Sequence, residues 1–311
     1  MTTSTTPNTP NAPSRRPSPY WIYLAPGFLV FALVIGAPLL ANIGLSFTNW
    51  RGSGTPEWAG VDNYTRLAGD DVFWLSFRNN LVLMVGMVII PTMLGLLISA
   101  TLFDYIGSTF SERWSSFFRA GYYLPQLLPI AVAGVVWGWI LHPRYGVLNT
   151  LLETVGLDAL TNNWLGDKST ALLSVGAVMV WFQLGYPIVI FMAALGRVEP
   201  SLYEAAALDG ADWRRRFRHI TIPMIRPELM VVLLTTTVHA LKVFAQVYVL
   251  TGGGPGNATN VPAYFSYQNF FEKAQVGYGA AVANALTIVI VAVMFVFLRV
   301  QAAAEREAEN R

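Results

Sequence analysis

Six stretches of this chain, roughly 21–47, 80–103, 120–141, 171–195, 228–250 and 278–300, are long and apolar enough to cross the hydrocarbon core of a bilayer. A helical crossing needs about 20 mostly apolar residues, because the core is about 30 Å thick and a helix rises about 1.5 Å per residue. The fold class that follows is an all-α, polytopic membrane bundle of about six transmembrane helices. Composition agrees: 54% of residues are hydrophobic and 12% charged, against about 25% charged in a soluble domain. The chain has no cysteine, which excludes a disulfide framework and a cysteine metal site.

Net charge is only +2, so the placement of basic residues says more than their sum. Lys and Arg gather in cytoplasmic loops. One side holds Arg15, Arg16, Arg113, Arg119, Arg197, Arg214, Arg215, Arg216, Arg218, Arg226, Arg299, Arg306 and Arg311. The other holds Arg51, Arg66, Arg78, Arg144, Lys168 and Lys273. Both termini are therefore expected in the cytoplasm, as an even number of spans requires.

Residues 1–19 are Thr, Pro, Asn and Ser with an arginine pair, too poor in apolar groups to offset the entropy of ordering, and read as a disordered cytoplasmic tail. The apolar run after Arg16 outlasts a signal-peptide h-region and has no clear A-x-A site behind it, so an uncleaved span is expected. Residues 20–300 form the membrane domain, with a cytoplasmic segment at 199–227, and 301–311 form a solvated tail. Outside loops are expected at about 49–77, 142–170 and 251–277. The last opens with Thr251-Gly252-Gly253-Gly254-Pro255-Gly256, which must turn. The inside loop at 104–119 is short and mixed in charge.

The most informative cytoplasmic stretch precedes the fifth span. Pro200 suits the first turn of a helix, and the residues to Leu208 are good helix formers. The alanines give that helix a face another protein can approach closely. Gly210 permits a conformation closed to other residues, and Asp212 is placed to cap a second short helix through the arginine cluster. The arginines themselves hold the loop inside and attract anionic lipid, about 1 kcal/mol each. Orientation does not account for Glu204, the alanine face, Asp209-Gly210 or the two prolines, and a generic interfacial helix would need a wider apolar face.

Glu204-Ala205-Ala206, then Asp209-Gly210-Ala211, Phe217, Ile220 with Pro223, and Pro227 resemble the EAA segment of ABC importer permeases, filling every place of that pattern. Arg119, Leu124-Pro125, Pro129, Trp137, Gly146 and Asn149, followed by Thr251-Gly252-Gly253-Gly254-Pro255, look like the carbohydrate-uptake branch, with its maltose-type and glycerol-phosphate-type permeases. The resemblance covers nearly all of the chain after residue 20. It implies a type I importer permease in a bacterial or archaeal cell (inner) membrane, paired with a second homologous permease, two ATPase subunits and an extracytoplasmic solute-binding protein. ATP and Mg would reside on the partner subunits, with no cofactor in this chain. Glu204, Ala205, Ala206, Asp209, Gly210 and Ala211 would couple ATP hydrolysis to transport. The chain departs from many relatives at Ala245, where an acidic residue is common after Phe, and at Asn79-Asn80, where Asn-Thr is common.

Polar groups in hydrocarbon are costly unless they face a cavity or a partner, so they point to a pathway. In the fifth span Thr236, His239, Val243 and Gln246 follow i, i+3 and i+4 spacing and would share a face. In the fourth, Trp181, Gln183 and Tyr186 combine aromatic surface with hydrogen-bonding groups that suit a sugar, and Asn284 in the sixth adds an amide. Threonines in membrane helices also bond their own backbone. Lys242, roughly 12 Å from the outer end of its helix at about 1.5 Å per residue, is read as structural, snorkelling or meeting a partner carboxylate. Pro91, Pro125, Pro129 and Pro187 disrupt their helices as kinks or hinges.

A P-loop is missing, since Gly166-Asp167-Lys168-Ser169-Thr170 lacks the leading glycine and faces outside. Predicted spans hold no acidic residue away from their ends, Asp104 and Glu228 lying at edges, which disfavours proton coupling. His142, His219 and His239 offer no metal spacing, and no nucleic-acid partner is indicated. The chain is thus expected to be a non-enzymatic permease for a sugar, oligosaccharide or polyol. The alternative, a polytopic enzyme acting on lipid or lipid-linked sugar, would need clustered acid, base or metal residues.

Overall fold

The computed structural model describes residues 20–102 and 112–309; the 1–19 tail lies outside them. The chain divides into a unit ending at Gly44 and a second from Leu45 to Arg311. The first holds α1 (Tyr20–Phe31), a π-helical turn at Ala32–Gly36, and most of α2 (Ala37–Leu45). Together they carry an apolar run from Tyr23 to Leu45 that is long enough to span.

The second unit begins with a single β-bridge between Thr48 and Trp58, the one β pairing among the described residues. After α3 (Asp62–Ala68) comes the long α4 (Asp71–Thr101). It starts well before the apolar block at 80, inside the expected outer loop, because Asp70 caps it: its Oδ1 accepts from the amides of Val72 at 2.9 Å and Phe73 at 3.1 Å.

The block at 120–141 is not one straight span. It bends by 102° between α5 (Glu112–Leu127) and α6 (Ile130–Ile140). Pro129, extended at φ −55° and ψ 131°, stands at the elbow, where its ring fixes φ and removes an amide donor. α7 (Val147–Thr154) follows in the loop expected outside, and the fourth block is α8 (Ala171–Gln183) continued by α9 (Gly185–Leu195). Pro187 has no N–H to offer the Gln183 carbonyl one turn below, and the side-chain amide of Gln126 on α5 donates to that oxygen at 3.4 Å.

The segment expected in the cytoplasm holds α10 (Pro200–Leu208), α11 (Trp213–Arg216), a π turn at Phe217–Thr221 and the single turn α12 (Ile222–Met224). The fifth block is broken: α13 (Arg226–Leu241) ends at Lys242, and α14 (Ala245–Leu250) begins after Phe244 at φ −144° and ψ −62°. Then come α15 (Pro262–Tyr267) and α16 (Val276–Glu309), which carries the sixth span and continues as helix through most of the expected tail. Among the described residues four helices suffice individually as spans, and the count reaches six when each of two bent pairs is taken as one.

Helix α4 is the centre of the second unit, packed on α8, α9 and α13. Leu83 and Met87 meet Val175, Met179, Ala240 and Val247 in one buried cluster. A second joins Phe191, Leu195, Ile225 and Val232, with Tyr186 and Tyr203 packed against it. In lipid, helix association draws on close packing rather than on water exclusion, which favours small residues at crossings. Gly95 shows this, since a Cβ there would lie 2.7 Å from Cβ of Pro187. Gly185 is tighter, with a Cβ falling 2.3 Å from the Tyr122 carbonyl oxygen.

Candidate solute cavity and coupling segment

Glu204-Ala205-Ala206 lie within α10, and Asp209-Gly210-Ala211 form the cap that closes it. Pro200 opens α10 as expected. At its other end Gly210 takes φ 76°, the left-handed region open to glycine. The Ala211 amide then donates to the Ala206 carbonyl at 2.9 Å and the Gly210 amide to that of Ala207 at 3.1 Å. These two bonds are a Schellman closure, which satisfies the orphan carbonyls of the last turn. Asp212 Oδ1 accepts from the Arg215 amide at 2.9 Å and so caps α11.

Tyr203 anchors this segment to the transmembrane core. Its ring packs on the cluster around Phe191, Leu195 and Ile225, and its hydroxyl lies 3.1 Å from that of buried Thr221. Arg197, just before α10, pairs with Glu228 at the start of α13. Glu204, Ala205, Asp209 and Gly210 remain exposed, Ala206 and Ala211 are half-buried, and Leu208 is 90% exposed. Leu208 and the exposed alanines leave this end of α10 uncovered within the chain.

A cavity of about 560 Å³ lies where α13 breaks. Tyr123, Gln126 and Ile130 line it from the α5–α6 elbow, and Met179, Phe182 and Gln183 from α8. Tyr186, His239, Lys242, Phe244 and Gln246 complete the polar and aromatic wall. The hydroxyls, amides and imidazole supply donors and acceptors for sugar hydroxyls, and the aromatic rings supply faces for apolar C–H surface. Tyr186 also packs on the cluster that holds Tyr203, so a cavity side chain and α10 share one packed core.

Of the residues singled out from the sequence, Gln183, Tyr186, His239 and Gln246 come together here. Three stand elsewhere. The Thr236 hydroxyl, buried, donates to the Val232 carbonyl at 2.7 Å within its own helix. Trp181 meets Trp137 edge-on at 5.3 Å and lines an apolar groove between α4 and α8. Asn284 donates to the Tyr64 hydroxyl at 3.3 Å. Lys242 lies in the cavity wall at the helix break, not partway along a continuous helix. Tyr123 and Gln126, polar groups in an apolar block, join it in the lining.

Asn79 clamps the outer loop, its amide donating to the carbonyls of Asn257 at 3.1 Å and Asn260 at 3.0 Å. In the same region burial pushes the Tyr264 phenol above the ordinary tyrosine range, and a bond to Tyr248 does the same for Tyr267. Asp167 accepts from both the amide and hydroxyl of Ser169, a local turn that holds its carboxyl below the usual range.

Residues 92–309 match the family described as "Binding-protein-dependent transport system inner membrane component". The chain is 37% identical over 274 residues to the probable ABC transporter permease protein YurN of Bacillus subtilis, covering 88% of this chain and 92% of that one. It is 31% identical over 281 residues to the sulfoquinovosyl glycerol transport system permease protein SmoG of Agrobacterium fabrum, covering 90% and 89%. Its fold matches a chain in the crystal structure of a bacterial ABC transporter that imports the acidic polysaccharide alginate, with a TM-score of 0.76 at 22% identity over 91% of this chain and 95% of that one. The chain belongs to this family and is an all-α membrane permease of an ABC importer, which sets aside the lipid-enzyme alternative.

Proposed function

We propose that this chain is one of two permeases in an importer for a sugar or oligosaccharide, driven by ATPase subunits that dock on α10 and supplied by an extracytoplasmic binding protein. The observation that carries the reading is the pairing of a capped, alanine-faced helix, exposed at Glu204 and Leu208, with a hydroxyl- and amide-lined cavity joined to it through Tyr203 and Tyr186. Relatives named for xylose/arabinose import and diacetylchitobiose uptake, with the binding-protein dependence of the family, support the cargo class and the partner.

In this reading, closure of the ATPase dimer displaces α10. Tyr203 passes the motion to the cluster beneath, and the broken α13–α14 and the α5–α6 elbow reshape the cavity between inward and outward access. ATP and Mg are held by the ATPases, and both termini lie in the cytoplasm. Replacing Glu204 and Gly210 together tests it in the reconstituted importer. Loss of sugar-stimulated ATP hydrolysis and of uptake, with assembly intact, is expected; normal uptake in the double variant would refute docking at α10.

A further inference from the structure

The cavity wall carries one lysine and no arginine. Lys242 is the only Lys or Arg among its lining residues, and no described Asp or Glu lines it. Nor does Lys242 pair elsewhere, since the one ion pair among the described residues is Arg197 with Glu228. Ala245, on the first turn after the break, brings only a methyl to the wall. An ammonium at membrane depth is costly without a counter-charge, and such groups mark ion or substrate pathways.

The backbone fixes this placement. Helix α13 stops at Leu241, and Lys242 and Phe244 take non-helical angles, with φ −98° and ψ 13° at Lys242. The lysine therefore stands in the cavity wall, which it shares with Gln126, Gln183, Gln246 and His239, further groups able to donate hydrogen bonds. Phe182 and Phe244 add aromatic surface for a ring. Donors around a fixed cation, without a carboxylate, form a receptor for a sugar that carries negative charge.

We propose that the cargo is an acidic sugar, bearing a carboxylate, sulfonate or phosphate ester that Lys242 receives in the cavity. This rests on the importer reading and narrows it, excluding neutral sugars and polyols. The same counter-charge could be supplied instead by a carboxylate of the second permease, and the test separates the two sources.

The complete importer, with its binding protein, is reconstituted in proteoliposomes. The sugar carried by the purified binding protein is identified by mass spectrometry. Uptake is then measured for that sugar and for matched disaccharides: glucuronate- and galacturonate-bearing, 6-sulfonated, and their neutral glucose and galactose counterparts. The expected result is a negatively charged native sugar, uptake of acidic members only, and a loss on the order of thirtyfold or more in Lys242→Met, largely restored in Lys242→Arg. A neutral native sugar overturns the proposal and leaves the importer reading standing. Equal losses in Lys242→Met for acidic and neutral sugars also overturn it, assigning the lysine to a carboxylate of the partner permease. Failure to move any sugar, the native one included, refutes the importer reading itself.

Discussion

Gly210 separates a conformational from a contact role in the coupling segment. Its φ of 76° closes α10, yet a Cβ built there meets nothing within 4 Å. A substitution therefore acts through the backbone and not through a clash within the chain. An ordinary L-residue in the left-handed region costs about 1–2 kcal/mol, so Gly210→Ala should shift the balance between closed and frayed ends of α10 by roughly 5- to 30-fold. Asparagine tolerates this region better, so Gly210→Asn should recover most of the loss. The assay is uptake per ATP hydrolysed in proteoliposomes, with hydrogen exchange at the amides of Gly210 and Ala211, which donate to Ala207 and Ala206. Coupling should fall in Gly210→Ala, with faster exchange at both amides, and return in Gly210→Asn. If asparagine is as harmful as alanine while exchange stays protected, glycine is needed for a partner's close approach and the conformational argument fails.

Asn79→Ala should free the 251–260 loop, because the Asn260 carbonyl loses its side-chain donor, at about 1–3 kcal/mol if it stays buried and unpaired, and the Asn257 carbonyl keeps only the Asn260 amide; limited proteolysis between Thr251 and Asn260 should accelerate. Gly185→Ala places a methyl 2.3 Å from the Tyr122 carbonyl, forcing α5 and α9 apart at a cost of about 1–3 kcal/mol, and should lower the thermal midpoint of the purified permease. Asp167 titrates below its ordinary value of 3.8 because Ser169 donates twice to its carboxylate. A depressed folded value means the bond stabilises the loop above the ordinary value and is lost as pH falls through the folded one; Ser169→Ala should move the Asp167 titration upward in a carboxyl-resolved NMR experiment.

The coupling segment was legible because its signals are local. A proline at N1, a glycine at C′ and an aspartate N-cap each act through neighbouring backbone groups, and Pro200, Gly210 and Asp212 stand in those roles. The break at Lys242 was not legible: Lys-Val-Phe contains no helix breaker, and only tertiary packing of Val243 and Val247 against Met87 and Met179 fits it. Periodicity along an uninterrupted helix grouped Thr236 with His239 and Gln246. The Thr236 hydroxyl instead bonds its own backbone and is buried one turn before the cavity. Pro129 marked a disruption but not a 102° elbow, so the route by which Gln126 reaches both the cavity and the Gln183 carbonyl was hidden.

If ATP energy reaches the chain through α10, bound ATPase subunits must cover that helix. The chain has no cysteine, so Leu208→Cys introduces a single thiol at the most exposed apolar position of that helix. Its maleimide labelling rate is measured in membranes with the permeases alone and in the fully assembled, transporting importer. Fast labelling alone and strong protection once the ATPases bind is the expected result. Undiminished labelling in an importer that hydrolyses ATP and takes up sugar would contradict the central claim.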